Sequence, residues 1–532
     1  MAWTALIGAG LHAWLRLRID ELNDTQRWAM GAGRIQREQL RWLLNRAAST
    51  EFGKANGFAS IARLEGPDFL RAYREAVPIS DIEAYRPMLA RMREGAEPDV
   101  LWPGVVKNWA QTSGTTAGDK FIPVSDEMLR HNRKAGFDIF AHYALRGGSL
   151  PGLFGGKLLF LGGSTELETN EHGINTGDLS GVVTPMIKWP ISAAHLPGRE
   201  IALMSDWPAK IDAMARACLN ADVRFISGMP SWSMVLFDRM LEMAQEQGVN
   251  ATCVRDLWPK LQLFVHGGVK YSPFESRVRG FWSGAPTGDD IPDRLEVYPA
   301  SEGFIAVQDQ AGDPGLRLNM DHRIFYEFVP LEEIDSPNAR AFTCDEVERG
   351  QRYVVVMSTC AGLYRYNIGD VVEFDTIPPD GPPRLRIVGR HRHFINAFGE
   401  NIIVEHIENA VVDAARTVEA IIGEFTAAPV YPEGERGAGL ELAVEWTPRD
   451  PQQLTVFRDA FDQSIKAQNV DYTTKRTSGL GMTLPTITPL PPGALHRWMQ
   501  SKGKLGGQHK APRCANHRDI IDGVIAVAGA EG

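Results

Sequence analysis

Apolar residues are spaced near three and four across residues 34–49, with Leu40 three and four positions before Leu43 and Leu44 and Ile35 a turn earlier, a pattern that predicts a helix. Residues 69–76 repeat the pattern. So do residues 81–93, where Pro87 is expected to kink or divide the helix. The N-terminal MAWTALIGAGLHAWLRLRIDEL reads as an amphipathic helix packed on the domain, with a peripheral membrane contact as the alternative. It lacks a basic segment ahead of its apolar run, His12 and Arg16 interrupt it, and it is too short to span a bilayer. Ser125 is placed to cap a helix that follows it.

Three short apolar runs end in glycine: residues 157–163, 223–228 and 261–268. Each reads as a buried strand. Pro230 suits the first turn of an amphipathic helix running to Glu246. Strand, glycine turn and helix in repetition predict an α/β fold, with mainly parallel, helix-covered sheets. Ligands in such sheets sit at the carboxyl ends of the strands, where these glycine turns fall. From Arg294 the pattern turns β-rich (RLEVYPASEGFIAV, RIFYEFVP, RYVVVMST, RLRIVGR), which predicts an antiparallel subdomain. Beyond Gly389 helical and strand patterns alternate again. The expected division is a large domain over 1–389 and a small α+β domain over 390–532, with the boundary at residues 390–394.

Composition narrows the function classes. A chain of 532 residues is too long for one ordinary core. The formal net charge of −10, with no Lys/Arg-rich block, weighs against nucleic acid as a partner. Five scattered cysteines without a CxxC pair point to reduced thiols in a cytoplasmic protein. Neither HExxH nor GxSxG is present, so the signatures of zinc hydrolases and α/β-hydrolases are missing.

The chemistry concentrates in four segments. Residues 111–123 read QTSGTTAGDKFIP. Small side chains there let several backbone N–H groups approach one anion, hydroxyls add donors, and Lys120 adds a mobile charge. It is not a Walker A loop: Gly114 and Gly118 enclose only three residues. Taken alone, it is equally a solvated Gly/Thr turn. YPASEG (residues 298–303) places Glu302 where a strand-end carboxylate can hold a metal, or where a turn glutamate is merely solvated. GLYRYNIGD (residues 362–370) ends in Asp370, an acceptor for paired ribose hydroxyls or a plain β-turn aspartate. GRHRHFI (residues 389–395) is a cationic cluster, either a surface patch or a hinge.

In this order the segments resemble the adenylate-forming enzyme superfamily. Within it they look most like the auxin-responsive (GH3) acyl-acid amido synthetases, over roughly residues 38–513. FYEFVP (residues 325–330) is also similar to the amido synthetases rather than the acyl-CoA ligases. The resemblance implies ATP and Mg2+ as cofactors. Ser113, Gly114, Thr115 and Thr116 would be phosphate donors, with Tyr298 against the adenine, Ser301 among the cofactor-binding residues and Glu302 near the magnesium. Asp370 would take the ribose hydroxyls, Arg390 would lie near ribose and phosphate, and Arg392 would be the pivot of a mobile small domain. GGQHKAPRC makes Lys510 the cation that reaches the α-phosphate, with Lys502 and Lys504 as competitors; many members of the superfamily carry Asp or Lys where this chain has Arg392.

The implied reaction turns a carboxylic acid into an acyl-adenylate and then passes the acyl group to an amine, an amino acid being expected. The alternatives are an acyl-CoA ligase and a non-catalytic nucleotide-binding protein of the same fold. For the acid pocket the candidates are Met229, Trp232, His266, Gly267 and Gly268. A Met- and aromatic-lined pocket would suit an indole, a benzoate or a fatty acid. Met229 and Trp232 are equally readable as core, and His266 as a satisfied core histidine.

Overall fold

The computed structural model describes residues 4–112, 120–162, 167–183, 191–204, 207–268, 271–391, 394–395, 402–430, 439–469, 472–473, 476, 482–502, 511–515 and 517–529. The chain forms two compact units. One comprises Met1–Val269, Val278–Arg386 and Gly506–Gln508; the other comprises Lys270–Arg277, Ile387–Leu505 and His509–Gly532. The second unit therefore takes a short segment from the middle of the sequence, which no shift in composition marks.

The first unit begins with helix Thr4–Asn23, packed on helices Asp126–Leu145 and Leu150–Phe154. Helix Thr25–Ala47 starts earlier than the apolar spacing indicated, because Asp24 caps it by accepting from the Arg27 amide. Its buried Gln36 donates to the Met320 carbonyl at 2.8 Å and accepts from the Tyr326 amide at 2.8 Å, fastening the helix to the sheet. Helix Gly66–Ala76 follows. Helix Ile82–Glu94 runs unbroken through Pro87. The missing N–H deprives only the Glu83 carbonyl of its intrahelical donor.

The strands here are β1 (Asn108–Thr112), β2 (Lys120–Val124), β3 (Lys157–Phe160), β4 (Leu167–Thr169), β5 (Asn175–Gly177), β6 (His195–Leu196), β7 (Val223–Ser227), β8 (Leu263–Gly267), β9 (Asp293–Ala300), β10 (Gly303–Val307), β11 (Leu316–Leu318), β12 (Ile324–Pro330), β13 (Arg352–Thr359), β14 (Tyr366–Thr376) and β15 (Arg384–Arg390). Eleven of them form one sheet in the order β12-β13-β14-β15-β11-β10-β9-β8-β7-β3-β6. The β6-β3-β7-β8-β9 portion is parallel, with the amphipathic helix Pro230–Glu246 following β7 as its sequence suggested. The β-rich region is antiparallel as its sequence suggested, and it continues the parallel sheet. β9 pairs in parallel with β8 and antiparallel with β10, so both regions share it. Only the turn at Ser301 and Glu302 separates β9 from β10, and so short a link returns the chain antiparallel. A smaller sheet, β2-β1-β5-β4, carries the hairpin around the Gly/Thr loop.

In the second unit β16 (Phe394–Ile395) pairs with β17 (Ile402–Ile403), and β18 (Phe425–Val430), β19 (Gly439–Glu445) and β20 (Thr486–Leu490) form a sheet. Helices Val404–Thr417 and Pro451–Gln468 cover it around Ile407, Val411, Phe425, Leu442, Phe457 and Phe461. The segment taken from mid-sequence contributes Phe274, whose ring lies 5.3 Å from the Arg513 guanidinium. Arg513 also covers Phe425 at 4.4 Å and pairs with Glu424 at 2.7 Å. Among the described residues no helix is long and apolar enough to cross a membrane.

Candidate active site

The parallel strands β7, β8 and β9 end side by side. Ser227 pairs with Val265, and Gly267 pairs with Val297, the residue before Tyr298. A Cβ on Gly267 would stand 2.3 Å from the Val297 carbonyl oxygen, so glycine permits this close approach. Tyr298 is buried and donates from its hydroxyl to Asp370 Oδ2 at 2.5 Å. Asp370 lies on β14, four ladder steps from β9. On a flat sheet that separation is about 19 Å. Direct contact therefore requires the sheet to curl until β9 and β14 face one another. Lys120, the first residue of β2, donates to the Tyr366 hydroxyl at 3.1 Å. Three segments remote in sequence thus meet through Lys120–Tyr366 and Tyr298–Asp370.

The 362–370 segment is rigidly seated. Tyr364 stacks on Phe52 at 5.2 Å and donates to the Leu101 carbonyl. Arg365 adopts φ 47° and is buried. Its Nε donates to Glu327 at 2.8 Å, and its Nη1 donates to the carbonyls of Arg74 and Val77. Glu327 takes a second cation, Arg74, at 2.8 Å. Sequence reading missed this pair. Its one signal was a charged residue at the centre of each of two otherwise apolar or aromatic runs, FYEFVP and LYRYN.

Glu302 sits in the β9–β10 turn and is only 5% exposed, yet no described residue pairs with its carboxylate. Gly303 follows at φ +156°, where a Cβ would fall 2.4 Å from Ile324. Glu302 lines a small pocket with Met128, His131, Asn132, Phe304 and His322. A carboxylate held in such a turn can ligate a divalent cation. Ser301 is buried in the same turn.

Behind the pocket lies a charged cluster. His322 is buried between Asp138, 3.2 Å from Nε2, and Asp321, 3.1 Å from Nδ1. Arg18 bonds both aspartates, and Lys134 pairs with Asp321. These carboxylates are spaced like metal ligands, but the two basic side chains already neutralise them. Burial alone would lower the His322 pKa, but the two aspartates raise it above its ordinary 6.5. Folded-state charging of His322 thus adds stability that is complete below pH about 6.5 and lost as pH rises through its raised value. Urea unfolding between pH 6 and 9 should show this decline in the native protein, and His322→Asn should flatten it.

The acid-pocket candidates gather at the same strand ends. Met229 precedes helix Pro230–Glu246, Trp232 lies in its first turn, and both are half-buried. His266 is buried on β8, and burial pushes its pKa down to about 3. Gly268 follows β8 at φ +82°. Lys502 is exposed at the end of helix Ala494–Ser501. The Arg390 backbone closes β15. Its side chain, and Ser113, Gly114, Thr115, Thr116, Arg392, Lys504 and Lys510, lie outside the described residues.

Comparison with known proteins gives the family. Residues 21–194 match the GH3 family N-terminal domain, residues 318–390 the GH3 family central domain and residues 405–519 the GH3 family C-terminal domain. The indole-3-acetic acid-amido synthetase GH3.3 of Arabidopsis thaliana is 20% identical, over 92% of this chain and 90% of its own. The jasmonoyl–L-amino acid synthetase JAR4 of Nicotiana attenuata is 21% identical, over 72% and 74%. Among solved structures, the GH3.15 acyl acid amido synthetase shares the fold with a TM-score of 0.75 at 18% identity, covering 93% of each chain. A 2-hydroxyisobutyryl-CoA ligase in the postadenylation state gives 0.59 at 15% identity, covering 95% and 94%. With all three of its domains matched in order over most of its length, the chain belongs to the GH3 family.

Proposed function

We propose that the protein is an ATP-dependent acyl-acid amido synthetase: it adenylates a small carboxylic acid and transfers the acyl group to an amine, in our reading an amino acid. The observation that carries this is the convergence of three sequence-remote segments through Lys120–Tyr366 and Tyr298–Asp370, with the buried Glu302 in the turn that follows the strand of Tyr298.

The chemistry sets what the residues do. In the first step the acid's carboxylate oxygen attacks the α-phosphorus, the acyl–O–P bond forms and pyrophosphate leaves. Two anions meet, so donors and cations must already be in place. Ser113, Gly114, Thr115 and Thr116 donate to phosphate, and Lys120 adds charge. Asp370 accepts from the ribose hydroxyls, with Tyr298 holding its carboxylate and facing the adenine. Ser301 and Arg390 complete the nucleotide shell. Glu302 would hold Mg2+, which draws charge toward the departing pyrophosphate. In the second step the amine nitrogen attacks the acyl carbon, the amide forms and AMP leaves, carrying away the electron pair of the acyl–oxygen bond. The acid lies by Met229, Trp232 and the His266–Gly268 turn; His266, neutral at physiological pH, brings no charge there.

Acid-dependent pyrophosphate exchange over an acid library tests the first step. Mass spectrometry with either mixed amino acids or CoA as acceptor then separates an amide product from a thioester. Lys510 serves only adenylation in this reading. Lys510→Ala is expected to slow acyl-adenylate formation about 10²-fold or more while leaving amine capture of preformed acyl-adenylate within a few fold. Equal slowing of both half-reactions counts against that role.

A further inference from the structure

Glu302 does not face an all-oxygen pocket. Met128 and, one turn later, His131 and Asn132 on helix Asp126–Leu145 line the same pocket as the Glu302–Phe304 stretch. The pocket they close has room for roughly one water molecule. Most of its remaining wall (Phe304, Ile324 and Cys360) offers little to a cation. His131 Nδ1 is buried and has no hydrogen-bond partner among the described residues. The His131 ring meets the His322 ring edge-on, with centroids 6.5 Å apart. His322 stands between Asp138 and Asp321, whose carboxylates face its two nitrogens at 3.2 and 3.1 Å. A neutral imidazole is the form that ligates metals.

The geometry points to His131 as a second protein ligand of the divalent cation at Glu302, making a mixed carboxylate–imidazole site that takes Mn2+ in preference to Mg2+. This rests on the adenylating reading only in giving Glu302 a cation. A magnesium ion holds to oxygen donors in strict octahedral geometry, whereas an imidazole nitrogen adds affinity for transition metals. A site built for Mg2+ alone gains nothing from an orphaned imidazole on its wall.

The test uses the whole protein with Mn2+ and a non-hydrolysable α,β-methylene ATP analogue, read by electron spin echo envelope modulation. Native protein is expected to show strong imidazole 14N modulation. His131→Gln should abolish it and weaken Mn2+ binding at least about tenfold while changing Mg2+ binding less. Glu302→Gln should release the ion. Circular dichroism and urea unfolding establish that each variant is folded. Absence of imidazole modulation in the native protein, or its persistence in His131→Gln, overturns the assignment. The adenylating reading fails separately, by absence of pyrophosphate exchange with every acid, and the spectra still decide the ligand.

Discussion

Glu302→Gln is expected to reduce acid-dependent pyrophosphate exchange by about 10²–10³-fold and to leave the protein about as stable as before. The two halves of that expectation share a cause. Glu302 is buried and, among the described residues, lacks a cation, so no ion pair ties it into the fold of the free protein. Gln is nearly the same shape and breaks no ion pair, so the free protein loses little. The reacting complex loses its anchor for the cation that offsets charge at the phosphates. Such separation of activity from stability is typical of groups kept for chemistry rather than for folding. Exchange assays beside urea unfolding would measure both. Unchanged exchange, or a marked fall in stability, would make Glu302 a structural residue and remove the metal from this turn.

Arg365→Met should destabilise the first unit by about 3–5 kcal/mol, the usual consequence of leaving a buried partner charge behind. Glu327 would retain only Arg74, which reaches it from the surface side, and the Arg74 and Val77 carbonyls would lose a donor. The lesion is not confined to stability. Arg365 immediately precedes β14, which carries Tyr366 against Lys120 and Asp370 against Tyr298. Folded Arg365→Met is therefore expected to bind ATP more weakly as well. Pairing it with Glu327→Leu should recover much of the lost stability, since a hydrophobic substitute for a buried ion pair is often neutral. Denaturant titration of the two single variants and the double variant checks this. A single-variant loss below about 1 kcal/mol would mean that solvent reaches the pair.

The candidate site was readable because its chemistry is local in sequence. A glycine turn, a strand-end glutamate and a turn aspartate each have a composition that persists whatever surrounds them. Their convergence was not readable, since the Tyr298–Asp370 contact depends on the curl of a sheet, a property of many strands together. The parallel strands announced themselves by apolar runs ended in glycine. The merging of the β-rich stretch with them did not, because a two-residue turn such as Ser301–Glu302 leaves no mark of which sheet its strands join. Pro87 misled in the other direction: one missing hydrogen bond does not outweigh the burial of Ile82, Tyr85, Leu89 and Met92 on the same helix. His131 stayed hidden because a histidine on an amphipathic helix reads the same whether it meets solvent or a carboxylate.

The docking of Phe274 beneath Arg513 bears on how these proteins can be recombined. A chimera that exchanges only the residues after Arg386 would leave behind part of the hydrophobic interior its new C-terminal half was built around. A C-terminal half taken from this chain has to carry Lys270–Arg277 along with it, as one module encoded in two places.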